Sequence, residues 1–235
     1  MNERGSMRVN ITRNGPYVIT GGVPLAEQVI ETDAEGQSRE WRQGRAFETA
    51  NTYRLCRCGQ SSSKPFCDDT HLAVGFDGSE TASRQPYLER AKELDGPAML
   101  LTDAEELCAF ARFCDPDGGV WSLIEETDQP EKRELVGHEA SHCVGGRLVA
   151  WDKTPRHPLE PALEPSLGLV EDPHLGVSGP IRVMGGILVR SGDWTMYEAR
   201  NRVALCRCGG SENKPFCDGT HASIHFADGS SELAP

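Results

Sequence analysis

Cysteine and histidine recur in one pattern at two places in this chain. Residues 55–71 read Leu-Cys-Arg-Cys-Gly-Gln-Ser-Ser-Ser-Lys-Pro-Phe-Cys-Asp-Asp-Thr-His, and residues 205–221 read Leu-Cys-Arg-Cys-Gly-Gly-Ser-Glu-Asn-Lys-Pro-Phe-Cys-Asp-Gly-Thr-His. Each copy spells Cys-x-Cys-x8-Cys-x3-His. Cys56, Cys58, Cys67 and His71 form one set of four donors, and Cys206, Cys208, Cys217 and His221 form a second. Three thiolates and an imidazole are a complete tetrahedral set for zinc. They also divide two and two over the irons of a [2Fe–2S] cluster, with Cys-x-Cys on one iron and Cys-x3-His on the other. Spacing alone leaves both chemistries open. Each third cysteine and its histidine are i, i+4, which puts them on one face of a short helix. An Asp after that cysteine (Asp68, Asp218) suits the start of such a helix.

The repeat extends beyond the donors and organises the chain. Gly15-Pro16 and Gly21-Gly22 parallel Gly179-Pro180 and Gly185-Gly186, and Phe76 and Phe226 each lie five residues past the motif histidine. Tyr17–Thr20, Ile181–Met184 and Ile187–Arg190 read as short strands bounded by glycines, and Met196–Leu205 as a longer strand leading into Cys206. The first copy carries extra polar residues around Glu31–Gly44, which read as a surface loop. Between the copies, Asp103–Phe113 reads as a helix with Thr102 and Glu105 as a capping box. Six prolines between 152 and 180 read as an extended connector. The expected units are therefore a first module at 8–85, an insert at 86–152, a connector at 153–178 and a second module at 179–235.

Composition narrows the function classes. Of 235 residues, 24 are Lys or Arg and 36 are Asp or Glu, giving a net charge of −12. That balance argues against nucleic acid, which needs clustered basic side chains. No run of about 18 apolar residues suggests a membrane span, and residues 1–10 lack the apolar segment of a secretory signal. Nine cysteines in such a chain point to metal or redox chemistry in a reducing compartment, so a cytoplasmic setting is expected. No nucleophile–base pair stands out, so no catalytic residue is assigned and an enzymatic role is not expected.

The pattern Cys-x-Cys-x2-Ser-x3-Pro-x-Cys-Asp-Gly-Thr-His resembles the CDGSH iron–sulfur domain of the mitoNEET type. Cys206, Cys208, Ser211, Pro215, Cys217, Asp218, Gly219, Thr220 and His221 match throughout. Cys56, Cys58, Ser61, Pro65, Cys67, Asp68, Thr70 and His71 match with one departure, Asp69 in place of Gly. Asp tolerates a left-handed backbone better than most residues, so binding is expected to survive there. The resemblance implies two redox-active [2Fe–2S] clusters held by those eight ligands. It also implies an α+β fold of two small β-rich modules. Family members with one motif form homodimers, so two motifs in one chain imply an intrachain pseudo-dimer and a monomeric protein.

The insert carries two further patterns. Cys108-x5-Cys114 followed by Cys143 resembles a monocluster ferredoxin, in which three cysteines hold a [3Fe–4S] cluster. Ala111 and Val144 depart from that pattern. A continuous helix over 103–114 would instead set Cys108 and Cys114 about 120° apart and leave a ferredoxin-like or vestigial α/β packing domain. His138-Glu-Ala-Ser-His142 is a His-Glu-x-x-His string, the zinc motif of metalloproteases, but Leu148 stands where a third histidine would follow. Trp41, Trp121, Trp151 and Trp194 read as core or cap residues. Arg57, Arg207, Lys64 and Lys214 could tune a cluster or be solvated. The expected role is one-electron transfer, redox sensing or cluster transfer, with an unidentified redox or cluster-accepting protein as partner. The alternatives are a zinc-stabilised structural or interaction module, and more remotely a zinc hydrolase at His138 and His142.

Overall fold

The computed structural model describes residues 7–233, so most of the 1–10 segment read for a leader lies outside the described residues. The first copy supplies β1 (Arg8–Ile11), β2 (Tyr17–Thr20), β3 (Leu25–Thr32), β4 (Ser38–Phe47) and β5 (Thr52–Leu55). The second half supplies β10 (Ser166–Asp172), β11 (Val177–Met184), β12 (Leu188–Arg190) and β13 (Arg202–Leu205). Strand alternation explains β2: Tyr17 and Ile19 point inward, while Val18 and Thr20 are half-exposed. β11 is buried along its whole length because it lies inside a five-stranded sheet.

The two copies interlock by exchanging strands. One sheet has the order β12-β1-β2-β5, and the other has the order β13-β11-β10-β3-β4. In each, a three-stranded antiparallel unit from one copy accepts a strand from the other copy in parallel. Val9 lies opposite Val189 in the first junction, and Leu167 lies opposite Leu25 in the second. One apolar core spans both copies, including Ile19, Leu25 and Leu55 with Leu169, Val189 and Leu205. This is the expected pseudo-dimer: two modules related by an approximate two-fold within one chain.

Three expectations are corrected. The polar stretch around Glu31–Gly44 is no loop; it is the body of the β3–β4 hairpin, which extends the five-stranded sheet. The proline-rich connector contains β9 (Arg156–Pro158) and β10, and β10 is the central strand of that sheet. Pro158 ends β9 opposite Trp151 at the edge of its own sheet, and Pro161, Pro165 and Pro173 flank β10 outside its paired positions, where their missing N–H costs no ladder bond. The long strand expected at Met196–Leu205 is only β13, with a single bridge from Met196 back to Arg190.

The insert folds as β6 (Lys92–Asp95), β7 (Met99–Asp103) and β8 (Leu148–Lys153), continued by β9, with helices α3 (Val120–Leu123) and α4 (Pro130–His142) over one face. Its core is Met99, Leu101, Val120, Leu123, Val136, Ala140, Leu148 and Ala150. The helix expected at Asp103–Phe113 is absent. Thr102 is a buried strand residue whose hydroxyl donates to the Val149 carbonyl, so it caps nothing. A single 3-10 turn at Glu105–Leu107 gives way to an irregular loop, with Phe110 and Arg112 at positive φ. Among the described residues, no helix is long and apolar enough to cross a membrane.

Candidate metal centres

Each centre lies past the end of a strand at the edge of its sheet. β5 delivers Cys56 and β13 delivers Cys206, and both backbones are pinned by matched bonds, Cys56 N–H to the Pro65 carbonyl at 2.8 Å and Cys206 N–H to the Pro215 carbonyl at 2.9 Å. The loop between the second and third cysteines is cross-braced from within. Ser61 and Ser211 donate to the Phe66 and Phe216 carbonyls, both at 2.7 Å. The carboxylates of Asp68 and Asp218 accept from the backbone N–H two residues ahead and from the N–H of Ser62 and Glu212. Side-chain hydrogen bonds from Thr70 and Ser62, with those backbone bonds, hold the Asp68 carboxyl well below the usual carboxylate range. Each aspartate thus precedes its helix and ties it to the cysteine loop. Helices α1 (Thr70–Ala73) and α5 (Thr220–Ser223) then present His71 and His221.

The donors come together in pairs. Cys56 Sγ and Cys58 Sγ are 3.7 Å apart, and Cys67 Sγ lies 3.5 Å from His71 Nδ1. In the second copy the same separations are 3.7 and 3.3 Å. The two pairs of one centre do not converge on a common point. Among the described residues, the groups of three or more donors within 4.8 Å of one another are Cys67/Asp69/His71 and Glu40/His138/His142. A single tetrahedral zinc requires all four donors to be mutually close, whereas two irons require two separate pairs. The donor chemistry fits as well. Burial pushes up the thiols of Cys58, Cys67 and Cys217, so these protons leave only when a metal replaces them. Cys206 is lowered to about 6 because the Cys208 thiol donates to it. Backbone N–H groups of Gln60, Asp69, Gly210 and Gly219 point at the sulfurs from 3.4 to 3.5 Å.

The two centres stand back to back. Gly59 and Gly209 both have positive φ, and a β-carbon on either would lie 2.4 or 2.5 Å from the carbonyl oxygen of Cys208 or Cys58 across the pseudo-two-fold. The centres differ in their surroundings. In the second, residues 108–113 of the insert cover the loop: Ala109, Ala111 and Phe113 share a buried cluster with Cys217, and Phe110 closes over Gly219. Among the described residues nothing equivalent covers the first, where Leu72 is exposed; Val74 and its counterpart Ile224 are exposed alike. Asp69 takes the left-handed conformation expected of the family's glycine, at φ 69°, and its carboxylate accepts both guanidinium nitrogens of Arg54 at 2.6 and 3.1 Å. The second copy has Ala204 and Gly219 at those two places, so the departure at 69 is matched by a compensating partner.

Arg57 and Arg207 are both buried rather than solvated, yet they are partnered differently, and Arg57 Nε has no hydrogen-bond partner among the described residues. Arg207 pairs with Glu171 and Asp228 and donates to the Gly179 and Val170 carbonyls. Arg57 donates to the carbonyls of Gly78 and Thr12, with no carboxylate among its partners. The second copy has one more residue between Phe226 and Gly229, which brings Asp228 to the arginine; Asp77 in the first copy turns to its own Ser79 N–H instead. Lys64 and Lys214 each donate to a carbonyl of their own loop, from Ser61 and Ser211.

The insert's cysteines are brought to one place. Loss of the expected helix turns Cys108, Cys114 and Cys143 onto a common small cavity with Arg147. Its volume is about 20 Å³, room for one water. Burial raises the Cys114 thiol. Of the four tryptophans, Trp41, Trp121 and Trp151 pack partly buried, whereas Trp194 lies exposed under Arg190, against expectation.

The His-Glu-x-x-His string lies on the last turns of α4. A third candidate ligand is supplied by Glu40 of β4, far upstream of the motif and invisible to any local pattern. Glu139, the residue that would serve as general base, is 2% exposed and neither carboxylate oxygen has a partner. Burial pushes it up to about 8. The folded state therefore holds a proton that the unfolded chain releases near its ordinary value, and stability falls as pH rises from there towards 8. Glu139→Gln is expected to stabilise the protein by roughly 3 kcal/mol at pH 7 and by little at pH 4. Chemical denaturation at the two pH values checks this, and an equal effect at both would contradict it.

Residues 14–72 and 178–222 each match the family described as iron-binding zinc finger, CDGSH type. No curated protein and no solved structure matches the chain.

Proposed function

We propose, from the premise that this chain is a two-motif member of the iron-binding CDGSH family, that it holds two [2Fe–2S] clusters and works in one-electron transfer. The observation that carries this reading is the separation of each ligand set into two donor pairs. Cys56 with Cys58, and Cys67 with His71, would each hold one iron of the first cluster. Cys206 with Cys208, and Cys217 with His221, would do the same in the second. When bound, such a cluster takes up and releases one electron. The chain's own residues set the conditions. Neutral imidazole in place of a thiolate removes negative charge and raises the potential above that of all-cysteine centres. Arg57, with carbonyl partners only, makes the first centre the more readily reduced, and the paired Arg207 makes the second less so. The edge left open beside Leu72, which the insert covers in the second copy, would make the first centre the one that meets a redox partner.

The expected result of removing one ligand is graded. Cys67→Ser halves the visible absorption and the iron content, Cys217→Ser does likewise, and the double variant loses both centres. Full iron retention in the double variant would exclude these ligands.

A second reading rests on the strained loop at 108–114. Two non-glycine residues at positive φ, Phe110 and Arg112, shape the loop that lines one cavity with Cys108, Cys114 and Cys143, and such strain clusters at functional sites. The cavity of about 20 Å³ between Cys108, Cys114 and Cys143 has room for one water and not for a [3Fe–4S] cluster, so we infer a further iron–sulfur group there only for a form in which the 108–114 loop has opened. Cys114→Ser then lowers iron below wild type while leaving both Cys3His centres intact. Unchanged iron would sink this reading.

A further inference from the structure

We propose that Glu40, His138 and His142 form a separate site for a divalent transition-metal ion, which clamps the β3–β4 hairpin to α4. His138 and His142 lie one turn apart on α4 with ring centroids 4.0 Å apart, and both face Glu40 on the hairpin. Glu40 Oε2 is 3.2 Å from His142 Nε2, and Oε1 is 3.8 Å from His138 Nε2. The Arg39 carbonyl oxygen lies 3.0 Å from His138 Nε2. The site therefore gathers two imidazole nitrogens, a carboxylate and a carbonyl.

The hydrogen-bond inventory shows why a cation belongs there. His142 Nδ1 is 2.8 Å from the His138 carbonyl oxygen, which can only accept, so Nδ1 carries the proton and Nε2 turns its lone pair to the Glu40 carboxylate. A lone pair facing a carboxylate needs a positive charge between them. A metal ion satisfies the carboxylate and both Nε2 atoms at once, with the Arg39 carbonyl as a fourth oxygen and the His138 proton moving to Nδ1.

The ligands are already held in place, the arrangement that tunes metal-binding histidines. The His138 carbonyl fixes the His142 tautomer, Trp41 donates to the His142 carbonyl at 3.2 Å, and Phe113 packs on the His142 ring. Two imidazoles and a carboxylate suit zinc, nickel or cobalt rather than calcium or magnesium. The site is not a peptidase centre, because Glu139 is buried without access to an attacking water. Its ligands are separate from the Cys3His sets, but its test rests on the cluster reading, since those sets must be filled so that added zinc cannot enter them. The hairpin and α4 belong to the first copy and to the insert, so the ion would staple one to the other.

The test uses the full chain with its visible absorption intact, washed with a chelator that leaves that absorption unchanged. Zinc is titrated calorimetrically into wild type, Glu40→Gln and His142→Gln, and thermal midpoints are read with and without zinc. One equivalent bound to wild type is expected, with the affinity reduced roughly 100-fold in His142→Gln and at least about tenfold in Glu40→Gln. Zinc should raise the midpoint of wild type alone. Wild type that binds no zinc, or both variants binding as wild type does, overturns the proposal. Unchanged visible absorption in each variant shows that its fold is intact.

Discussion

Replacing His221 by cysteine is expected to lower the midpoint potential of the second centre by on the order of 100 mV or more, with iron content unchanged. His221 is buried, and that burial, together with the nearby Arg207 guanidinium, pushes it down to about 4. Its imidazole is therefore neutral across the physiological range, as the proposed ligand role requires. A thiolate there would add a full negative charge beside Cys217, in a site where water cannot screen it. Arg207 cannot absorb that charge, because Glu171 and Asp228 already neutralise it. Reductive titration followed by electron paramagnetic resonance gives the two potentials separately. An unmoved potential would mean that His221 is no ligand.

Gly209→Ala is expected to damage both centres at once. A β-carbon at 209 would sit 2.5 Å from the Cys58 carbonyl oxygen, and the backbone there holds φ at 81°. The left-handed conformation alone costs about 1–2 kcal/mol for a residue with a side chain. The obstacle is backbone of the opposite loop, which cannot rotate away as a side chain would. A total loss of roughly 3 kcal/mol or more follows, and the distortion falls on the loop carrying Cys56 and Cys58. Urea unfolding together with iron content read separately at each centre checks this. Loss confined to the second centre would contradict the back-to-back arrangement.

The sequence was most legible where chemistry is local. Four donors within sixteen residues, written twice, mark both proposed ligand sets, and Gly21-Gly22 and Gly185-Gly186 mark the ends of β2 and β11, although β11 begins at Val177 and runs through Gly179. What depended on distant partners was not legible. Asp103–Phe113 has helical periodicity, yet Ala109, Ala111 and Phe113 are claimed by Cys217 and Trp41 from elsewhere in the chain, and the backbone turns left-handed to meet them. β10 hides among prolines because its strength comes from β11 on one side and the exchanged β3 on the other. The β3–β4 hairpin reads as a polar loop because β4, the outermost strand of its sheet, leaves many of its side chains in solvent. Glu40 escaped a search for a third ligand because such motifs are scanned downstream of the second histidine. Asp69 gave a signal in the sequence, but its compensation by Arg54 required the fold.

The two-by-two division of each ligand set is tested most directly by counting iron, acid-labile sulfide and zinc on one sample of anaerobically purified protein, alongside its visible spectrum. Two [2Fe–2S] centres predict about four irons and four sulfides per chain, with further iron only if the Cys108, Cys114 and Cys143 site is filled as well. A colourless protein from iron-replete cells, carrying about two zinc ions and no sulfide at Cys56, Cys58, Cys67, His71 and their counterparts, would contradict it.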